Sequence, residues 1–240
     1  MKSNKDEIRN KVWDALSEQK LGRFPFPIKG RIPNFKGAEN AVSFVKELEI
    51  YKKASVVKVN PDSPQLPLRS EVLKDGKILL IPTPRLKAGF VMIKPEWVPK
   101  GEERKAASLK HMNAYGKEMP LTEIPQIDLI VVGSVAIHPD GRRLGKGEGY
   151  ADREYAIIRE LGNPEVPVIT TINSIQLVEE DLPKDEYDLT VDWIVTEKGV
   201  TEVQSNYEKP KGIIWSEVTE EELEAMPVLA EIRRMMEGQK

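Results

Sequence analysis

The 240-residue sequence contains no cysteine. Disulfides, thiolate metal centres and cysteine nucleophiles are therefore excluded. Histidine is scarce as well, with His111 and His138 the only two. Neither has a second ligand residue at helical spacing, so no zinc signature is present. No apolar run approaches the roughly 20 residues that cross a bilayer. The opening MKSNKDEIRN lacks the apolar centre of a secretory leader. A soluble, cytoplasmic protein without a membrane partner is expected. An excess of positive charge is also missing, since the formal net charge is −3. That balance argues against nucleic acid as a dedicated partner.

What remains is a chain long enough to bury a sizeable core without covalent staples. One domain over 1–240 is expected, with an N-terminal helical and loop extension (1–53) and a C-terminal helical tail (218–240). Ile8, Val12 and Leu16 recur at helical spacing. Residues 21–37 hold three prolines and three glycines and read as a loop. A helix is predicted over 38–54, then a strand at 55–59. The stretch 61–67 reads as a turn-rich connection. Short apolar runs at 77–82 and 89–93 suit strands, and 101–115 suits a helix. The unbroken apolar run IDLIVVG (127–133) suits a parallel strand covered on both faces. A helix at 151–161, strands at 166–170 and 192–196, and a charged, surface-like helical tail complete the pattern. Strands alternating with helices predict a three-layer α/β sandwich with a mostly parallel sheet.

The segment DGRRLGKGEGYADREY (140–155) stands apart. It lies between a predicted buried strand and a helix, the junction where open α/β sheets bind ligands. Gly145, Gly147 and Gly149 remove side chains, so backbone amides can approach a phosphate. A helix N-terminus favours anions, and Arg142, Arg143 and Lys146 add positive charge. The spacing matches neither the dinucleotide fingerprint nor the Walker A loop. Asp152 falls in the first helical turn, where a carboxylate beside a polyphosphate suits Mg2+. A solvated turn whose charges face water is the alternative.

GRRLGKGEGYADRE resembles the R-x-G-x-G-G-G-Y-Y-D-R signature of the 5-formyltetrahydrofolate cyclo-ligases. KDEIR (5–9), DLIVVGSVAI and YDLTVDWIVT resemble further motifs of that family in the same order. RIPNFKGA and LLIPTPRL resemble one subgroup, whose animal members carry an RNA-recognition domain that these 240 residues are not expected to hold. The resemblance runs from about Lys5 to Pro227. It implies a cyclo-ligase-like sandwich that uses ATP and magnesium. In that reaction the formyl oxygen on N5 of a tetrahydrofolate is phosphorylated, N10 attacks the formyl carbon, and phosphate leaves. By position, the resemblance implies that Lys5, Arg9, Arg143, Gly145, Lys146, Gly147, Glu148, Gly149 and Tyr150 contact ATP. Arg143 and Lys146 would be the catalytic cations, and Asp152 and Asp188 the magnesium carboxylates. Glu148, Ala151, Gly133 and Ile137 stand where the family patterns have glycine, tyrosine, proline and phenylalanine. A folate-contacting glutamate is implied after the first strand, and Glu71 is its candidate. Arg31, Lys36 and Arg85 sit in proline-bounded loops, where they would form a cationic site for a folate, another pterin or a phosphorylated ligand, or simply lie on the surface. Two other readings stay open: a same-fold enzyme for another substrate, thiamine-related for example, and an RNA-binding module without turnover. Oligomeric state is not legible.

Overall fold

The computed structural model describes residues 3–238. Its centre is an eight-stranded sheet. The strands, in chain order, are β1 (Val56–Val59), β2 (Ile78–Pro82), β3 (Phe90–Ile93) and β4 (Lys117–Met119). β5 (Leu129–Val132), β6 (Val168–Ile172), β7 (Trp193–Thr196) and β8 (Gly199–Glu202) follow. Their spatial order is β8-β7-β6-β5-β1-β2-β3-β4. The pairs β7–β6, β6–β5, β5–β1 and β1–β2 are parallel. The antiparallel strands β8 at one side and β3 and β4 at the other close the edges. The expected mostly parallel three-layer sandwich is the observed one.

The main helices are α1 (Ser3–Glu18), α2 (Ala38–Glu47), α3 (Leu66–Lys74), α4 (Tyr150–Glu160) and α5 (Pro227–Glu237). The pleat divides the sheet's side chains between two cores. Leu129 and Val131 face one way and pack with α2 and α3. Ile130 and Val132 face the other and pack with α4 and α5. Each such fully buried aliphatic side chain contributes about 1.5–3 kcal/mol. A third cluster joins Ile8, Val12 and Leu16 of α1 to Ile28, Ile32 and Leu144. It seats the N-terminal helix and the proline loop on the rest of the domain.

Four local expectations are corrected. The 38–54 helix breaks at Leu48, whose backbone is extended (ψ 132°), and a short helix Glu49–Lys53 follows. The 101–115 helix is two single turns, Glu103–Ala106 and Met112–Tyr115. The Ala107 carbonyl accepts from Arg69 Nε at 2.9 Å instead of continuing the ladder. Beyond the turn at 61–65 lies α3, a helix the prolines concealed; Pro67 occupies its first turn, where the missing N–H costs nothing. The C-terminal tail splits at Pro227, and it is not a surface appendage, because Val228, Leu229 and Ile232 are buried in the α4-side core. Residues 239 and 240 of the tail lie outside the described residues.

Candidate active site

The order of the strands places the site. From β1 the chain moves outward through β2, β3 and β4, then returns to put β5 on the other side of β1. The crevice between the carboxyl ends of β1 and β5 is a topological switch point, where ligands of open α/β sheets bind. A pocket of about 570 Å3 opens there. Asn60, Asp62 and Ser63 enter it from the end of β1, and Gly133 from the end of β5. The glycine segment forms the opposite wall through Arg143, Gly145, Lys146, Glu148, Gly149 and Tyr150.

The wall is built from a hairpin and a helix start. Ala136–Ile137 pairs with Arg143–Leu144, which turns Arg143 inward. Its buried guanidinium donates to the Gly133 carbonyl at 2.9 Å and to Asp152 Oδ1 at 3.2 Å. Its Nε has no partner among the described residues. Gly149 precedes α4 with φ 70°, a left-handed conformation that suits glycine. Asp152, in the first turn of α4, also accepts from the Leu189 amide at 2.8 Å through Oδ1. Lys146 pairs with Glu148 at 2.9 Å. The unexpected glutamate in the loop is thereby neutralised within it.

Lys5, Arg9 and Asp188 brace this wall and do not line the pocket. Arg9 Nε donates to the Gly145 carbonyl at 2.8 Å, and its guanidinium passes beside Gly147. Lys5 bonds Asp185 at 2.7 Å and Asp188 at 2.8 Å. Asp188 is thus engaged by a cation, and its neighbour Leu189 is tied to Asp152. No group of three or more acidic or histidine ligands is gathered among the described residues.

Of the expected substrate residues, Arg31 and Arg85 line the pocket with Lys29 at its mouth. Arg85 has a left-handed backbone (φ 55°). Lys36 is exposed elsewhere, and only its backbone is used, the amide donating to the Leu21 carbonyl at 2.8 Å and the carbonyl accepting from Asn173 at 3.3 Å. Glu71 is also misplaced: it lies on α3, bonded to Lys46 at 2.7 Å and Lys74 at 2.8 Å. Those cations, opposing its partial burial, hold its carboxyl below the ordinary value. His138 packs in its own turn against Asp140. The proline that the family pattern places at 133 is excluded here by packing. A Cβ on Gly133 would lie 2.5 Å from Ile32 Cγ2 and 2.9 Å from Gln65 Oε1.

The floor holds residues the sequence reading missed. Lys58 lies on the α4 side of β1 by the alternation of the pleat. It is 1% exposed and pairs with buried Glu154 of α4 and with Asn60 Oδ1 at 2.6 Å. Burial pushes the Glu154 carboxyl up, against the opposing pull of Lys58. Asp62 stands beside them. Burial raises its carboxyl too, and Lys146, Arg69, Lys58 and Arg143 pull it back only in part. Two signals were available in the sequence. A lysine interrupts the apolar run SVVKV, and Glu154 falls on the stripe of Tyr150, Ala151, Ile157 and Ile158 that faces the core.

The sequence and the fold have counterparts. The 5-formyltetrahydrofolate cyclo-ligase family model matches residues 1–197. Methenyltetrahydrofolate synthase domain-containing proteins are similar along nearly the whole chain. The Bos taurus protein is 41% identical over 98% of this chain, and the Homo sapiens protein 39% over 96%. The chain spans 63% and 61% of the length of those relatives. A solution structure of 5,10-methenyltetrahydrofolate synthetase from Aquifex aeolicus aligns with a TM-score of 0.53 at 26% identity, covering 85% of this chain and 95% of that one. A Mycoplasma pneumoniae structure of the same name shares the fold, with TM-score 0.50, 16% identity and coverage of 81% and 99%. The chain belongs to the 5-formyltetrahydrofolate cyclo-ligase family.

Proposed function

We infer that the protein is an ATP- and magnesium-dependent 5-formyltetrahydrofolate cyclo-ligase, forming 5,10-methenyltetrahydrofolate. The observation that carries this reading is the meeting of two walls at one switch point. The glycine wall presents Arg143 and Lys146, cations suited to a transferring phosphoryl group. The wall from β1 presents hydrogen-bond acceptors suited to the N–H edge of a pterin. Arg31, Lys29 and Arg85 at the mouth suit the carboxylates of the folate glutamate. The backbone amides of Gly145, Gly147 and Gly149 serve the phosphates, Tyr150 borders them, and Arg9 and Lys5 support the loop from behind.

The residues present fit magnesium in a limited way. Asp152 Oδ2 is unengaged among the described residues and borders the pocket. Mg2+ commonly takes one or two carboxylates plus phosphate oxygens, and there it would neutralise developing phosphate charge. Asp188 acts through Lys5 and the Leu189 amide as a support.

The test is a calorimetric titration of Mg·ATP, followed by addition of 5-formyltetrahydrofolate with the methenyl absorbance monitored. Binding and an ATP-dependent rise in absorbance are expected. Nucleotide binding without the rise would defeat the substrate assignment. Asp152→Asn keeps the acceptor for Arg143 and Leu189. It is expected to weaken nucleotide binding when magnesium is present and to leave the metal-free affinity unchanged. Equal weakening in both conditions would remove Asp152 as the magnesium carboxylate.

A further inference from the structure

Ring closure has a proton to dispose of. N10 carries hydrogen before it attacks. As the N10–C bond forms and the C–O bond breaks, phosphate departs with the electron pair and the N10 proton must leave. A base is needed within reach of N10. Four carboxylates line the pocket among the described residues: Asp62, Glu148, Asp152 and Glu154. Three of them are already engaged. Glu148 pairs with Lys146, Asp152 with Arg143 and the Leu189 amide, and Glu154 with Lys58.

Asp62 is different. No donor among the described residues bonds its carboxylate, and only more distant cations act on it. Its backbone is nevertheless fixed. Arg69, 2% exposed, donates from Nη1 to the carbonyls of Asn60 at 2.6 Å and Asp62 at 2.9 Å. Asp62 is thus the pocket carboxylate left without a protein donor among the described residues, and it is free to accept from an N–H of a bound ligand.

We propose that Asp62 is the general base of the reaction, taking the proton from N10 as the ring closes. The assignment rests on the cyclo-ligase reading above. The proton passes from N10 to an Asp62 oxygen, and Asp62 returns it to water after product leaves. Arg69 is a positioning residue, holding the backbone on which Asp62 stands. The charged groups facing Asp62 are Lys146 and Arg143 of the glycine wall, Arg69 of α3, Lys58 of β1 and Glu154 of α4. Burial outweighs the cations among them and brings the carboxyl closer to neutrality, where a base is most effective.

The experiment uses the full chain with Mg·ATP and 5-formyltetrahydrofolate. Asp62→Asn is isosteric, and its melting temperature and Mg·ATP affinity report whether the fold and nucleotide site persist. Its kcat is expected to fall on the order of a hundredfold or more, with KM little changed. The acid limb of the wild-type kcat profile should disappear with it. Asp62→Ala should regain rate in proportion to added formate, which a merely structural role would not allow. A kcat within a few-fold of wild type, a loss confined to KM, or an alanine variant indifferent to formate would each overturn the assignment. Failure of the wild-type protein to turn over 5-formyltetrahydrofolate would instead overturn the cyclo-ligase reading first, and the base with it.

Discussion

At the scale of residues, the site is organised by charges placed where the sheet is otherwise apolar. Lys58 and Glu154 are both buried, and their pairing must offset the desolvation of each. Removing one partner leaves an uncompensated charge and costs about 3–5 kcal/mol, whereas replacing both with apolar side chains is often nearly neutral. Lys58→Met and Glu154→Leu alone are therefore expected to be strongly destabilising in urea unfolding, and the double variant close to wild type. Strictly additive losses would show that the pair is not a coupled unit. Arg69 makes the same argument through hydrogen bonds. Arg69→Met strands the carbonyls of Asn60, Asp62 and Ala107, and a loss of about 3 kcal/mol is expected in the same assay. These residues were only half legible in the sequence. Arg143, Lys146, Arg31 and Arg85 could be singled out because they sit among glycines and prolines. Glu71 stood as the candidate after β1 because α3, which carries it away from the pocket toward Lys46, was hidden behind its prolines, and Asp62 had no local signal to mark it.

At the scale of elements, the glycine wall is positioned from behind by α1 and by the turn before β7. Lys5 joins the two through Asp185 and Asp188. The Lys5 hydrogen bond, larger than the opposing effect of burial, holds the Asp185 carboxyl below its ordinary value of 3.8. A carboxyl depressed in the folded state contributes stability above its unfolded value and loses it as pH falls through the folded one. The urea midpoint of the wild type should therefore exceed that of Lys5→Met near neutrality, and the difference should shrink as pH drops below 3.8. A gap that persists there would mean the contact is not ionic. Gly149 sets the start of α4. A Cβ there would meet nothing within 4 Å, so only its φ of 70° opposes substitution. Gly149→Ala should cost about 1–2 kcal/mol of stability. The six buried strands were legible because unbroken apolar runs of this length have few other readings, whereas the edge strands β4 and β8, short and mostly exposed, carry no such run and were missed. Helix ends were less so, since they depend on contacts distant in sequence. The Arg69 bond to Ala107 leaves no local mark, and the apolar stripe of Val228, Leu229 and Ile232 marks a buried face without saying which core it joins.

At the scale of the whole molecule, the order in which strands are added decides where chemistry can occur. Placing β5 beside β1 after the excursion through β2, β3 and β4 opens one crevice. The chain fills its two sides with opposite characters, cationic glycine loop against acidic floor. The third hydrophobic cluster anchors α1 behind the glycine wall and, through Ile28 and Ile32, fixes the loop that carries Lys29 and Arg31 at the crevice mouth. Strand order could not be read from the sequence, because periodicity reports which face of a strand is buried and not which strand lies next to it. The most direct measurement follows the formyl oxygen. With 5-formyltetrahydrofolate labelled in that oxygen with a heavy isotope, turnover with Mg·ATP is expected to deliver the label into inorganic phosphate, one for each methenyl product. Unlabelled phosphate, or no methenyl product at all, would contradict the account.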